Sequence, residues 1–308
     1  MQAEAARELF IKYLLSEKNY SELTIRAYTS DLIQFEGYLA QTYAIYSLKE
    51  VTTVIVRSYL TFLMKSDQTA VSINRKQSSL RSLFRFLTKR DLLTTNPMTG
   101  IKALKKPKRL PVVIEKQKLM DWIGEGFKRE VESGDYARQV SAIMLYFIYN
   151  TGIRASEVLG LKKSDVDLHN RQIKVKGKGN KERIVPFPKS LATLLQDTYE
   201  KWRADIAIQT DCYFVLENGK PIYYKWLYEH TLQHMSCITT QDKKSPHVLR
   251  HTYATHLLDG GAELNAIKEL LGHANLAATQ LYTHNSMERL RNIHNASHPK
   301  SKKNQTKS

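Results

Sequence analysis

The sequence predicts a mainly α protein with one small β-sheet (α+β), divided into two domains. Three observations lead there. Apolar residues recur at helical spacing on both sides of residue 100, a single stretch alternates as a strand pair does, and a basic, proline-containing stretch separates the two helical regions. At 308 residues the chain is long enough for two cores, at a typical ~100–200 residues per domain.

The elements follow in order. Leu9, Phe10, Tyr13 and Leu14 form a first apolar stripe. A second helix opens at Ser21, has Glu22 in its first turn, and aligns Tyr28, Leu32, Phe35 and Leu39 on one face. Thr52 or Thr53 caps a third helix that runs to Met64. A fourth turns Leu80, Leu83, Phe84 and Leu87 inward, with Arg75, Lys76, Arg81, Arg85 and Lys89 on its other face, either solvated or along a phosphate backbone. Asn96-Pro97 and Gly100 break structure. Residues 101–111 (IKALKKPKRLP) carry five basic residues and no acid, as suits a linker that also touches a polyanion. Residues 137–150 are apolar nearly all round, which predicts a central buried helix stopped at Thr151-Gly152. TGIRASEVLGL then restarts a helix with Arg154 in its first turn. Residues 171–187 (RQIKVKGKGNKERIVPF) read as a β-hairpin, with Ile173 and Val175 facing one side and Lys178 at the glycine-flanked tip. Ser245 and Pro246 open a helix that ends at Gly260-Gly261. Another runs from about Glu263 to Leu271 and stops at Gly272, and Asn275 caps a short helix that presents Tyr282.

Charge narrows the function. With 47 Lys+Arg against 30 Asp+Glu the formal net charge is +17, which favours polyanions. The longest apolar run, Ala142 to Tyr149, is far below the ~20 residues of a membrane span. Glu4 and Glu8 near the start argue against an export signal. Two cysteines, Cys212 and Cys237, point to a reducing cytoplasm and to thiols that only pack.

Six residues stand in settings suited to phosphate contact: Arg154, Lys178, His247, Arg250, His273 and Tyr282. His247 and Arg250 are three apart on one helix, so they share a face. His251 and His256 fall on other faces and read as structural. The HExxH pattern is missing and no carboxylate or cysteine falls at ligand spacing, so a metal site is not expected. The glycines around Lys178 lack the spacing of a nucleotide-binding loop. Singly, each residue keeps a plain alternative: Arg154 pairs with Glu157, Lys178 is a solvated tip, and Tyr282 is one tyrosine of 17. As a set, cations around a phenol suit attack on a phosphodiester.

In their order, TGIRASEVLGL, VKGKGNKER, HVLRHTYATHLL and LLGHANLAATQLYTH resemble the signature boxes of the tyrosine recombinase (lambda-integrase) family. The resemblance extends over essentially the whole chain. It is most similar to the Xer-type recombinases, by its compact length, lack of large insertions and the ending YTHNSMERLRNIHNASHP. Ala277, where a hydroxyl residue is usual, and the acidic stretch Glu130–Asp135 depart from the pattern without touching a catalytic position.

The resemblance implies a helical core-binding (SAM-like) domain over 1–100, a basic linker over 101–111, a mixed catalytic domain over 112–296 and a basic, disordered tail over 297–308, closing on DNA as a C-shaped clamp. Tyr282 attacks the scissile phosphate to give a 3′-phosphotyrosine. Arg154 and Arg250 hold the nonbridging oxygens, Lys178 protonates the leaving 5′-oxygen, His247 serves acid–base transfer, and His273 donates to the phosphate. No cofactor and no metal is implied. The implied partners are a double-stranded recombination site, a homotetramer or a heterotetramer with a related Xer recombinase on two synapsed duplexes, and a septal DNA translocase. Met287, Leu290, Ile293 and His294 form an apolar face for a neighbouring subunit or, in the plain alternative, for packing on the same subunit. The implied role is resolution of chromosome dimers. Integration, inversion or resolution for a mobile element uses the same chemistry, and relaxation of supercoils or a catalytically dead regulator are the remaining alternatives.

Overall fold

The computed structural model describes residues 1–105, 112–177, 182–272 and Ser297. The chain forms two compact units, Met1–Arg109 and Leu110–Ser308.

Among the described residues the first unit holds four α-helices, α1 (Ala3–Ser16), α2 (Glu22–Tyr43), α3 (Thr53–Lys65) and α4 (Ala70–Lys89), and a 3-10 turn at Leu48–Glu50. Side-chain caps open three of them, since Ser21, Thr52 and Thr69 accept from the backbone N–H of Thr24, Ile55 and Ser72. Leu32, Phe35, Leu39, Leu80, Leu83, Phe84 and Leu87 fill the core as the stripes predict. Phe35 meets Tyr59 and Phe84 edge-on, and Phe10 packs on Phe86. Leu9 is a correction: it is 38% exposed, and Ala3, Ala6, Phe10 and Leu14 carry the buried face of α1. Lys76 is another. It is buried and bonded to Asp31 and Gln34, because Asp31 supplies an inward partner that sequence spacing does not reveal. Arg75 also donates to Asp31, whereas Arg85 and Lys89 are exposed. The first residues of the basic stretch are held by this unit: the Asn74 side chain bonds both backbone groups of Leu104, and Arg81 donates to the Ile101 carbonyl.

The second unit is built around α7 (Tyr136–Thr151), in which every residue from Val140 to Thr151 is buried. Before it come α5 (Lys116–Asp121), a π-helical turn and α6 (Phe127–Val131); after it comes the short α8 (Ala155–Leu159). An antiparallel sheet of order β1-β2-β3 follows, with β1 (Val166–Asp167), β2 (Gln172–Lys176) and β3 (Glu182–Pro186). The hairpin pairs Ile173 with Val185 and Val175 with Arg183, and β1 is an added strand too short to show in the sequence pattern. Then come α9 (Lys189–Leu194), α10 (Glu200–Ala204), α11 (Tyr224–Ile238), α12 (Pro246–Asp259) and α13 (Leu264–Leu271). Cys212 is half-buried but Cys237 is exposed, so only the former packs. Ser297, the first residue assigned to the tail, is buried, and a Cβ on Gly260 would strike its carbonyl oxygen. Among the described residues no helix is long and apolar enough to cross a membrane.

Candidate active site

The site begins where α7 ends. Gly152 caps that helix at φ 64°, and a Cβ there would lie 2.3 Å from the Tyr253 ring, so the turn requires glycine. The chain then delivers Arg154 with extended backbone as the N-cap of α8, one position earlier than the first turn the sequence suggests. Glu157, at the third position of α8, accepts from the Arg154 backbone N–H at 2.7 Å and from its Nη1 at 2.7 Å. The plain pairing of Arg154 with Glu157 is therefore present, as one part of a larger arrangement.

Glu157 is the hub. Arg183 grips it in bidentate fashion, at 2.9 and 2.8 Å, and Arg250 Nη1 lies 3.9 Å from it. Burial by itself raises the carboxyl pKa, but the bonds and charge of Arg183, then those of Arg154, outweigh it and hold Glu157 at about 2. By sequence spacing Glu157 is only a surface partner of Arg154, and Arg183 does not stand out. The signal available for Arg183 was a single cation in the returning strand of a hairpin, which is not specific.

The same three arginines meet the end of α13. Its last carbonyls lack intrahelical partners and carry the negative end of the helix dipole. Arg183 Nε donates to Leu270 O at 3.0 Å, Arg250 Nη2 to Leu271 O at 2.6 Å, and Arg154 Nη2 to Gly272 O at 3.2 Å. Three consecutive carbonyls thus take three different guanidinium groups. Arg250 also donates to Gly152 O at 2.6 Å.

Three cations face one carboxylate, which leaves a surplus of two positive charges among these residues. The side chains of Arg250, Arg183 and Glu157 are 8%, 6% and 5% exposed, against 33% for Arg154. Burial, then Arg154, pull Arg250 down to about 10, so it remains cationic at neutral pH. A buried surplus of this kind is costly without an anion. Arg154 is the member that opens toward one.

His247 lies in the first turn of α12, after Ser245 and Pro246. Ser245 holds the N-cap position but its side chain makes no capping bond. The exposed imidazole of His247 is pushed below its ordinary pKa, first by partial desolvation and then by His251, Arg250, Lys243 and Arg154. It is neutral at pH 7 and free to accept a proton. His256 is structural as expected: it is buried, with partners in Tyr149 Oη and the Ile114 carbonyl. His251 is exposed, its pKa lowered first by partial desolvation and then by Arg250 and Lys243, so it is not a core residue. Lys178, His273 and Tyr282 lie outside the described residues, as do residues 287–294. β3, which follows Lys178 in sequence, and α13, which ends before His273, both join the arrangement through Arg183.

Comparisons with known proteins show the family and the fold. Residues 126–289 match the model of the phage integrase family, and residues 8–91 match the phage integrase N-terminal SAM-like domain. Tyrosine recombinase XerC of Chlorobaculum tepidum is 35% identical, covering 94% of this chain and 93% of its own length. XerC of Bacillus pumilus is 37% identical, with 95% of each chain covered. Among solved structures, XerH bound to its difH substrate superposes with a TM-score of 0.67 at 23% identity, covering 93% of this chain and 83% of that one. The Tn1549 transposon integrase superposes at 0.69 and 19% identity, covering 94% and 100%; both show the shared fold. The chain belongs to the phage integrase family, as a site-specific tyrosine recombinase of Xer type.

Proposed function

We propose that this recombinase cleaves and rejoins a double-stranded DNA recombination site through a 3′-phosphotyrosine at Tyr282. The phenol oxygen bonds to the scissile phosphorus as the bond to the 5′-oxygen breaks, and the energy kept in the new ester drives rejoining to a different strand by way of a Holliday junction. The observation that carries this reading is the surplus of two positive charges around Glu157, one of them nearly buried and the other on the part-exposed Arg154. A phosphodiester bears one negative charge and its pentacoordinate transition state two. The cluster therefore favours the transition state over the ground state, which is the requirement for catalysis.

Arg154 and Arg250 hold the nonbridging oxygens, and His247, neutral at pH 7, takes the proton of Tyr282. A phenol of ordinary pKa ~10 needs that help. Lys178 returns a proton to the departing 5′-oxygen and His273 donates to the phosphate. The guanidinium groups supply the charge neutralisation that a divalent metal gives elsewhere. Four subunits act on two synapsed duplexes in the cytoplasm, as a homotetramer or together with a related Xer recombinase, and a septal DNA translocase activates them. The relatives named XerC support the resolution of chromosome dimers as the role.

The test uses a nicked suicide duplex carrying the chromosomal site. The wild-type chain gives a covalent protein–DNA band in denaturing gels, in the presence of a metal chelator. Tyr282→Phe retains binding and gives no band; a band from that variant defeats the reading.

A further inference from the structure

We infer that Arg183 is a positioning residue for the cleavage reaction, a tether that locks the α8 and α13 segments of the site together. This rests on the reading of Arg154 and Arg250 as phosphate-holding groups. Arg183 itself is 6% exposed, and its nitrogens are committed: Nη1 and Nη2 to the two oxygens of Glu157, and Nε to Leu270 O. It does not face a ligand. Through Glu157 it fixes the acceptor that orients both the backbone and the guanidinium of Arg154. Through Leu270 it fixes the first of the three carbonyls whose neighbours hold Arg250 and Arg154.

Its place in the chain adds a third attachment. Arg183 is the second residue of β3, paired with Val175, so the tether also anchors the β2–β3 pair. Gly272 completes the fit. It stands at φ 64°, and a Cβ there would come within 3.0 Å of Arg183 Nη1. The residue just before His273 is thus kept small by the same guanidinium. One side chain of β3 thus joins α8 to the end of α13, and a planar fork with five N–H donors suits the task where an ammonium does not.

The experiment compares Arg183→Lys with the wild-type full-length chain. Single-turnover cleavage is measured on the suicide duplex at saturating DNA, beside half-site affinity and thermal unfolding. The lysine keeps the charge but loses the bidentate grip and the bond to Leu270. Cleavage is expected to fall by ~10- to 100-fold, the scale of a small misplacement of catalytic groups. Affinity stays within about threefold, since phosphate contacts dominate it. Cleavage at the wild-type rate overturns the proposal. A second comparison removes the question of a stranded buried carboxylate. Glu157→Gln with Arg183→Gln is expected to cleave at least about threefold more slowly than Glu157→Gln alone, because the Leu270 attachment is lost as well; equal rates overturn the tether. Arg154→Ala in the same assay separates the two ideas. If it cleaves normally the phosphate-holding reading has failed, whereas its loss beside a normal Arg183→Lys defeats only the tether.

Discussion

Each unit of the molecule holds a carboxylate surrounded by cations, and the two clusters differ in where the excess charge sits. In the first unit Asp31 accepts from Arg75 at 2.7 Å, Lys76 at 3.3 Å and Ser79 at 3.4 Å. Its excess positive charge lies on Arg75, whose side chain is 45% exposed, so water solvates it. In the second unit Glu157 is shared by three arginines, two of them nearly buried, and the helix end at residues 270–272 offsets only part of the surplus. The first cluster is complete in itself and joins α2 to α4. The second leaves unbalanced charge away from water, and so favours an anion at its one open member, Arg154. Similar residue types give a structural bolt in one place and the proposed phosphate site in the other.

Substitution of the two hubs separates these roles. Asp31→Ala strands a buried Lys76 and is expected to destabilise the first unit by about 3–5 kcal/mol in urea denaturation. Its cleavage rate at saturating DNA, per folded molecule, stays near wild type; a rate loss of tenfold or more means that Asp31 is not merely structural. Arg154→Ala reverses the pattern. Cleavage falls by ~10²–10³ while the urea midpoint moves little, the loss typical of one preorganised donor.

Acid provides a third discrimination. Glu157 has its folded pKa held near 2, against 4.5 ordinarily. A depressed carboxylate contributes stability that is present above the unfolded value and lost as pH falls from about 4.5 toward 2, here about 3 kcal/mol. Urea denaturation of the second unit across that window should show the loss, and Glu157→Gln should flatten it. The smallest effect concerns His247. Because its pKa is lowered, the neutral base persists below pH 6.5, and the acid limb of cleavage lies under the ordinary imidazole value. Lys243→Gln removes one repelling, exposed cation and should move that limb slightly upward, less in high salt.

Much of this was legible beforehand. The spacing of Leu32, Phe35 and Leu39, the caps at Ser21 and Thr52, the buried run of α7 and the alternation of Ile173 and Val175 all reflect interactions between residues a few positions apart. The errors arose where a distant partner overrides the local pattern. Lys76 lies on the basic face by periodicity, yet turns inward to Asp31, 45 residues earlier. Leu9 joins the apolar stripe, but the neighbours of α1 cover Ala6 and Phe10 instead.

The candidate site divides in the same way. Local sequence supplied the residue types of the signature boxes, the glycine that turns α7 toward Arg154, and the proline that starts α12. Packing chose the partners. Arg183 finds Glu157 across 26 residues and Leu270 across 87, and Arg250 reaches the Gly152 carbonyl across 98. Backbone propensity acts over a turn or a hairpin, whereas the energy of a buried ion pair depends on which surfaces exclude water together. That second property belongs to the folded chain as a whole, and it is what makes a hub of Glu157 and a buried tether of Arg183.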